Sequence, residues 1–291
     1  MKTILVPATG GEADGQTFAT ALAVARSFSA HIDVLHVRFD PVEVAVAAAS
    51  GDGSGSSGPL LEGLIDQLEQ DAREREAKAR RIFDDFCARE SVVPAVEPAQ
   101  AAGEPSAQWH VEIGQETRWM ATYGMTADLI VASRGTPGDD AVARSLLEAV
   151  LLESGRPLLI PSASAPGAAI AEHVAIAWKA TPQAVRAVAF AMPLLARAKA
   201  VTVMTVEEEE GRPDDAERLV NYLAWHKIKA AAVQLTPGSR GAVESLLAAA
   251  ATKAQLLVMG GYGHTRLREW VFGGFTQRVL ANAPMPVLVA H

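Results

Sequence analysis

The chain has 291 residues, 49% hydrophobic and 21% charged, with 34 acidic against 26 basic residues and a formal net charge of −8. That length suits two domains of modest size, each with its own core. The acidic balance argues against non-specific binding to nucleic acid or membrane surfaces, and no apolar run approaches the ~20 residues that span a bilayer. The single cysteine, Cys87, excludes an internal disulfide and fits a reducing compartment. Met1-Lys2 leads directly into Ile4-Leu5-Val6 with no signal-peptide pattern, so a cytoplasmic location is expected.

In chain order, Ile4-Leu5-Val6 reads as a strand, Phe18 to Phe28 as a helix and Ile32 to Val37 as a second strand. The Gly/Ser tract from Gly51 to Gly58 reads as a flexible hinge. A charged helix is expected from about Leu60 to Arg89, because Leu61, Leu64, Ile65, Leu68, Ile82, Phe83 and Phe86 recur at helical spacing. It reads as an extended surface helix, with a lid or partner-docking arm as the alternative. Ala127 to Ala132 and Arg156 to Pro161 are further strand segments, and the small-residue stretch Ser162 to Ala169 is a linker.

Beyond the linker the pattern returns. Val174 to Ala177, the helical Pro182 to Ala198 and the strand Val201 to Val206 repeat the opening, while Ala254 to Met259 and Met285 to Ala290 repeat the later strands. Short apolar runs alternating with helical segments argue for parallel βαβ units. The expected organisation is two tandem α/β domains, residues 1–163 with an insertion near 45–90, and residues 171–291.

The segment most suggestive of a ligand follows Met259. Gly260-Gly261-Tyr262-Gly263 ends an apolar run, and Gly273-Gly274-Phe275-Thr276 opens the next helical pattern. Glycine lets the backbone approach a phosphate, and a helix start aims N–H groups and the positive end of its dipole at an anion. His264, Arg266 and Arg268 between the clusters either add positive charge toward phosphates or form a solvated basic face. Arg266 stands where a dinucleotide fingerprint needs its third glycine, and no Gly-Lys-Ser/Thr follows any glycine loop.

The spacing of Gly260, Gly263 and Gly273, followed by Ala283-Pro284-Met285-Pro286-Val287-Leu288-Val289, resembles the universal stress protein family. The resemblance implies two doubly wound, parallel, five-stranded domains of the adenine nucleotide alpha hydrolase-like fold. It further implies ATP or another adenine nucleotide, with Mg2+ as a companion, held by Gly260, Gly263, Gly273, Gly274 and Thr276. Met259 and Val206 become walls for the base. The family usually places Ser or Thr directly after the third glycine, where this chain has Gly274; Thr276 matches. Lys179 stands where the family has an acidic or amide residue for the adenosine, and an ammonium cannot accept hydrogen bonds from ribose hydroxyls. Trp178 beside it reads as core or as a stacking partner for a base. Arg144-Ser145 takes the place of Gly273-Gly274 in the first copy, and Asp139-Asp140 adds negative charge there, so residues 1–163 read as a degenerate partner domain. Pairing through the last strands is also implied, setting Leu158-Leu159-Ile160 beside Val287-Leu288-Val289 in an intramolecular pseudo-dimer, with homodimerisation left open.

Other chemistry finds little support. The seven histidines are scattered without a metal spacing, and Ser54 lacks the G-x-S-x-G frame. Glu207 to Glu210 reads as a solvated loop. With no nucleophile beside a base, three functions stand: a nucleotide-binding regulator in stress response, a non-nucleotide interaction module, and a slow nucleotide hydrolase.

Overall fold

The computed structural model describes residues 1–51, 58–101, 103–135, 140–162, 170–206, 215–239, 241–261 and 274–291. The N-terminal half runs β1 (Thr3–Pro7), α1 (Asp14–Phe28), β2 (His31–Arg38), α2 (Pro41–Gly51), α3 (Gly58–Glu90), β3 (Val93–Pro94), a 3-10 turn at Pro98–Ala101, β4 (Ser106–Ile113), α4 (Glu116–Gly124), β5 (Leu129–Val131), α5 (Asp140–Glu153) and β6 (Leu158–Ile160). The C-terminal half runs β7 (His173–Ala177), α6 (Pro182–Leu195), β8 (Ala200–Val206), α7 (Asp215–Trp225), β9 (Ala230–Leu235), α8 (Ala242–Ala251), β10 (Leu256–Gly260), α9 (Gly274–Asn282) and β11 (Val287–Ala290). Among the described residues no helix is long and apolar enough to cross a membrane.

Among the described residues the strands join one eleven-stranded sheet in the order β3-β4-β2-β1-β5-β6-β11-β10-β7-β8-β9. Every pairing of these strands is parallel except one. At the centre β6 and β11 run antiparallel, with Ile160, Leu159 and Leu158 opposite Val287, Leu288 and Val289. All six residues of this seam are essentially inaccessible to solvent. Burying side chains of this size is worth roughly 1.5–3 kcal/mol each, so the seam is as much core as any strand pair within either half.

Helices cover both faces of the sheet. One apolar layer gathers Phe18, Val24, Phe83, Phe86, Val188, Leu195 and Leu223 beneath α1, α3, α6 and α7. The other gathers Met120, Leu147, Val150, Leu246, Met259 and Val279 beneath α4, α5, α8 and α9. Strands buried on both faces are apolar throughout rather than alternating, as parallel sheets require.

Two features differ from the sequence expectation. The N-terminal half has a sixth strand, because β3 pairs with Ser106 and Ala107 at the start of β4. The charged helix is also not wholly a surface arm. Ala72, Ala79, Phe83 and Phe86 are buried, and Phe18 of α1 packs its ring against Phe83 and Phe86 at centroid distances of 6.3 and 5.5 Å. Its exposed flank carries the i,i+4 pairs Arg73–Glu69 and Arg80–Asp84, of the kind that adds a few tenths of a kcal/mol each.

Candidate functional site

In the C-terminal half the chain steps outward from β7 through β8 to β9, then returns to the other side of β7 as β10. The strand order therefore reverses between β7 and β10, and open α/β sheets place ligands outside the carboxyl ends of the strands at that point. Ala177 pairs with Met259 there, so Trp178 and Lys179 leave one strand beside Gly260 and Gly261 leaving the other. Val206 ends the neighbouring β8.

Three of the anticipated residues line this end of the sheet from within. Met259 is only 3% exposed, and Val206 is half-buried against the same apolar layer. Gly260 has a packing duty of its own: a Cβ there would meet the Ala184 amide nitrogen and lie 2.7 Å from the Gln183 carbonyl carbon. The first turn of α6 sits that close because Thr181 caps it, accepting from Ala184 N at 3.3 Å, and Pro182 presets the helical φ. A Cβ on Gly261 would lie 2.8 Å from Val289 Cγ1 and 3.5 Å from Leu151 Cδ2, the latter in the N-terminal half.

Gly274 is the first residue of α9, with open space where a side chain would project. Thr276 follows in the first turn at 5% exposure, and its hydroxyl makes no hydrogen bond among the described residues. The first-turn amides of a helix lack intrahelical partners, so this is a donor-rich end with a spare hydroxyl. Gly263 and Gly273 lie outside the described residues, as do His264, Arg266, Arg268 and Glu207 to Glu210. Lys179 is exposed, with its carbonyl accepting from Thr181 N at 2.7 Å. Trp178 is half-buried, packed against the α6 and α7 layer.

The corresponding place in the N-terminal half is filled from within. Asp14, in the first turn of α1, is buried and accepts from Thr9 N at 3.1 Å, Thr9 Oγ1 at 2.8 Å and Gly10 N at 2.7 Å. A carboxylate thus takes up amides that a ligand would otherwise meet. Gly10, at φ +77°, passes under α3, where a Cβ would come within 3.1 Å of Arg75 O. Burial pushes the Asp14 carboxyl above its ordinary range despite these bonds and the nearby His36. Glu116, at the start of α4, is likewise raised by burial, with Asp14 adding to the rise and Arg75 opposing it. His36 Nδ1 lies 2.7 Å from Ala8 O, and its buried Nε2 has no partner among the described residues. Arg144 and Ser145 are both exposed and lie a turn inside α5, which begins at Asp140, so the helix start seen at Gly274 has no counterpart at Ser145. Asp139 lies outside the described residues.

Sequence spacing concealed a second polar cluster. His110 Nε2 lies 2.9 Å and His31 Nε2 3.4 Å from Asp33 Oδ1, while His31 Nδ1 lies 2.8 Å from Ser106 Oγ. Burial alone would raise Asp33, but the hydrogen bonds from the two imidazoles outweigh it and hold the carboxyl below its usual value. Ser106 is fully buried and cannot meet a substrate, and no group of His, Cys, Asp or Glu among the described residues is arranged to hold a metal. Period-2 alternation along two paired strands was the available signal, since residues 31 and 33 share a face with 106 and 110. A crevice of about 770 Å³ beside α3 is lined by Phe39, Leu68 and charges of both signs including Asp71, Arg75 and Arg81; Arg75 joins it to the N-terminal strand end, where its carbonyl packs on Gly10.

Residues 167–291 match the Universal stress protein family. The C-terminal half of this chain is a universal stress protein domain, and the family assignment rests on that match. No protein of curated function matches the sequence significantly. Among solved structures, a universal stress protein from Archaeoglobus fulgidus DSM 4304 has a TM-score of 0.68 at 16% identity, covering 99% of this chain and 95% of its own. A functionally unknown protein from Pseudomonas aeruginosa PAO1 has a TM-score of 0.55 at 16% identity, with 100% and 92% covered. The cytoplasmic domain of a prokaryotic cation chloride cotransporter reaches 0.50 at 10% identity, with 99% and 94% covered. At these identities the likeness is one of fold, and a fold does not fix a function.

Proposed function

We propose that the chain is a two-domain universal stress protein, with domains at 1–163 and 171–291, whose C-terminal domain binds ATP or another adenine nucleotide. It acts in the cytoplasm as a regulator in stress response rather than as a fast catalyst. The observation that carries this reading is the junction of Gly260 with the β7–β10 reversal, followed in sequence by a helix start that offers open space at Gly274 and a Thr276 hydroxyl without a partner among the described residues. In this reading the first-turn amides of α9 and Thr276 hold phosphate oxygens, with Gly263 and Gly273 letting the backbone approach. Met259 and Val206 form the apolar wall for the base, and Lys179 neutralises phosphate charge, with Mg2+ sharing that load. The antiparallel seam makes the two domains an intramolecular pseudo-dimer, with the N-terminal domain as its structural partner.

Calorimetric titration with Mg–ATP, beside a Gly263→Asp, Gly273→Asp double variant, tests the reading. Micromolar binding that the variant loses supports it. Absence of both heat and thermal shift at millimolar ATP overturns it. A second reading, a non-nucleotide interaction module, is favoured by Lys179 at the adenosine position, and on it neither Mg–ATP nor adenosine gives heat or a thermal shift. Slow hydrolysis is read separately, as phosphate release over hours.

A further inference from the structure

The two ends of the sheet are finished differently. One end is the two-residue β3, whose Pro94 lacks an N–H. The other is β9, six residues reading AAAVQL, without a proline or a charge. Among the described residues no strand pairs with its outer side. Lys229 O accepts from Val201 N, so alternation along β9 turns the N–H and C=O groups of Ala230 and Ala232 away from β8. Edges of this kind are templates for a further strand.

What surrounds the edge is unusual for this chain. Trp225, five residues before the strand begins, is 88% exposed at the end of α7, the helix packed on β9. Tyr222 on the same helix is 47% exposed, and Val233 on the strand 38%. Between Arg218 and Val243 the sequence holds no Asp or Glu, although the whole chain carries a net charge of −8. Lys227 and Lys229 are exposed at the amino end of β9, and neither is in an ion pair among the described residues. A main-chain edge unpaired at Ala230 and Ala232 among the described residues, an exposed indole and unpaired cations together fit strand addition by an anionic peptide. A second copy fits less well, because edge-to-edge pairing would bring two positive surfaces together.

We propose that the outer edge of β9, with Trp225, Lys227 and Lys229, is a docking surface for an extended acidic segment of a partner protein, which adds to the sheet as a further strand. The proposal does not depend on nucleotide binding by the same chain. The probe is a capped peptide alternating Glu and Val, titrated at low salt. It is compared with a Lys–Val analogue and with a Glu–Val analogue N-methylated at alternate amides. Sedimentation fixes the oligomeric state in parallel. The acidic peptide is expected to bind about tenfold or more tightly than the basic one, and to weaken as salt screens the lysines. N-methylation, or a Trp225→Ala, Lys229→Glu variant with an unchanged melting temperature, is expected to cost at least about tenfold. Absence of binding at millimolar acidic peptide overturns the proposal. Equal binding of the N-methylated analogue also overturns it, as does a homodimer that the double variant dissolves.

Discussion

Gly260 and Ala184 are in backbone-to-backbone contact: the carboxyl end of β10 leaves no room for a Cβ against the first turn of α6. This ties the strand before the glycine loop to the start of the helix that follows β7 and packs over β10 and β11. Gly260→Ala is expected to cost about 3 kcal/mol in urea denaturation, since backbone rather than a flexible side chain must yield. Gly274→Ser meets open space and is expected to change stability by less than about 1 kcal/mol. If the domain holds nucleotide, the same substitution tightens Mg–ATP binding in calorimetry by supplying a hydroxyl at the helix start.

Asp14 satisfies two amides and a hydroxyl from inside the N-terminal half. Asp14→Ala leaves Gly10 N buried under α3 and the half-buried Thr9 donors without their acceptor, and a loss of about 2 kcal/mol is expected by chemical denaturation. A loss below about 0.5 kcal/mol would mean that water enters and replaces the carboxylate.

The two limbs of the pH dependence of stability have different origins. Asp14 and Glu116 are both raised on folding. Their contribution is present below their unfolded values, near pH 4, and is lost as pH rises through the folded values. Glu116→Gln is therefore expected to flatten the decline of melting temperature above about pH 4. Asp33 is lowered, so its contribution is present above its unfolded value and lost as pH falls through the folded one. Asp33→Asn is expected to reduce the acid-side slope and leave the other limb in place.

Arg134 reaches across the seam, donating through Nη2 to Pro161 O and to Ala283 O at 3.3 Å each. Burial lowers its guanidinium from the ordinary value. Arg134→Met removes a charged donor from two carbonyls, one in each half, and is expected to cost about 2 kcal/mol in equilibrium unfolding.

The strands at β7, β10 and β11 were legible because continuous apolar runs of four or five residues bounded by turn residues have few other readings. The helix α3 was legible in its period, yet its burial at Ala72 and Ala79 was not, because alanine signals neither core nor surface. The same poverty of signal hid β9 and α8, where Ala230-Ala231-Ala232 and Ala248-Ala249-Ala250 read alike and only their neighbours decide between strand and helix. In α2, Val42-Glu43-Val44-Ala45-Val46 alternates as a strand would, and packing against α3 makes it helical. At the site, family spacing led to Lys179, Met259, Gly274 and Thr276. The packing duty of Gly260 and the self-filling by Asp14 depend on chain segments that meet only in space.

The antiparallel junction of β6 with β11 sets the direction of everything on either side of it. Since all other pairings are parallel, the strands of the two halves point opposite ways, like two combs joined back to back. The carboxyl ends of β7 and β10 lie along one long side of the sheet, and the place closed by Asp14 lies along the other. The start of α9 therefore shares a rim with the amino ends of the N-terminal strands, and the two strand-end places have no view of each other.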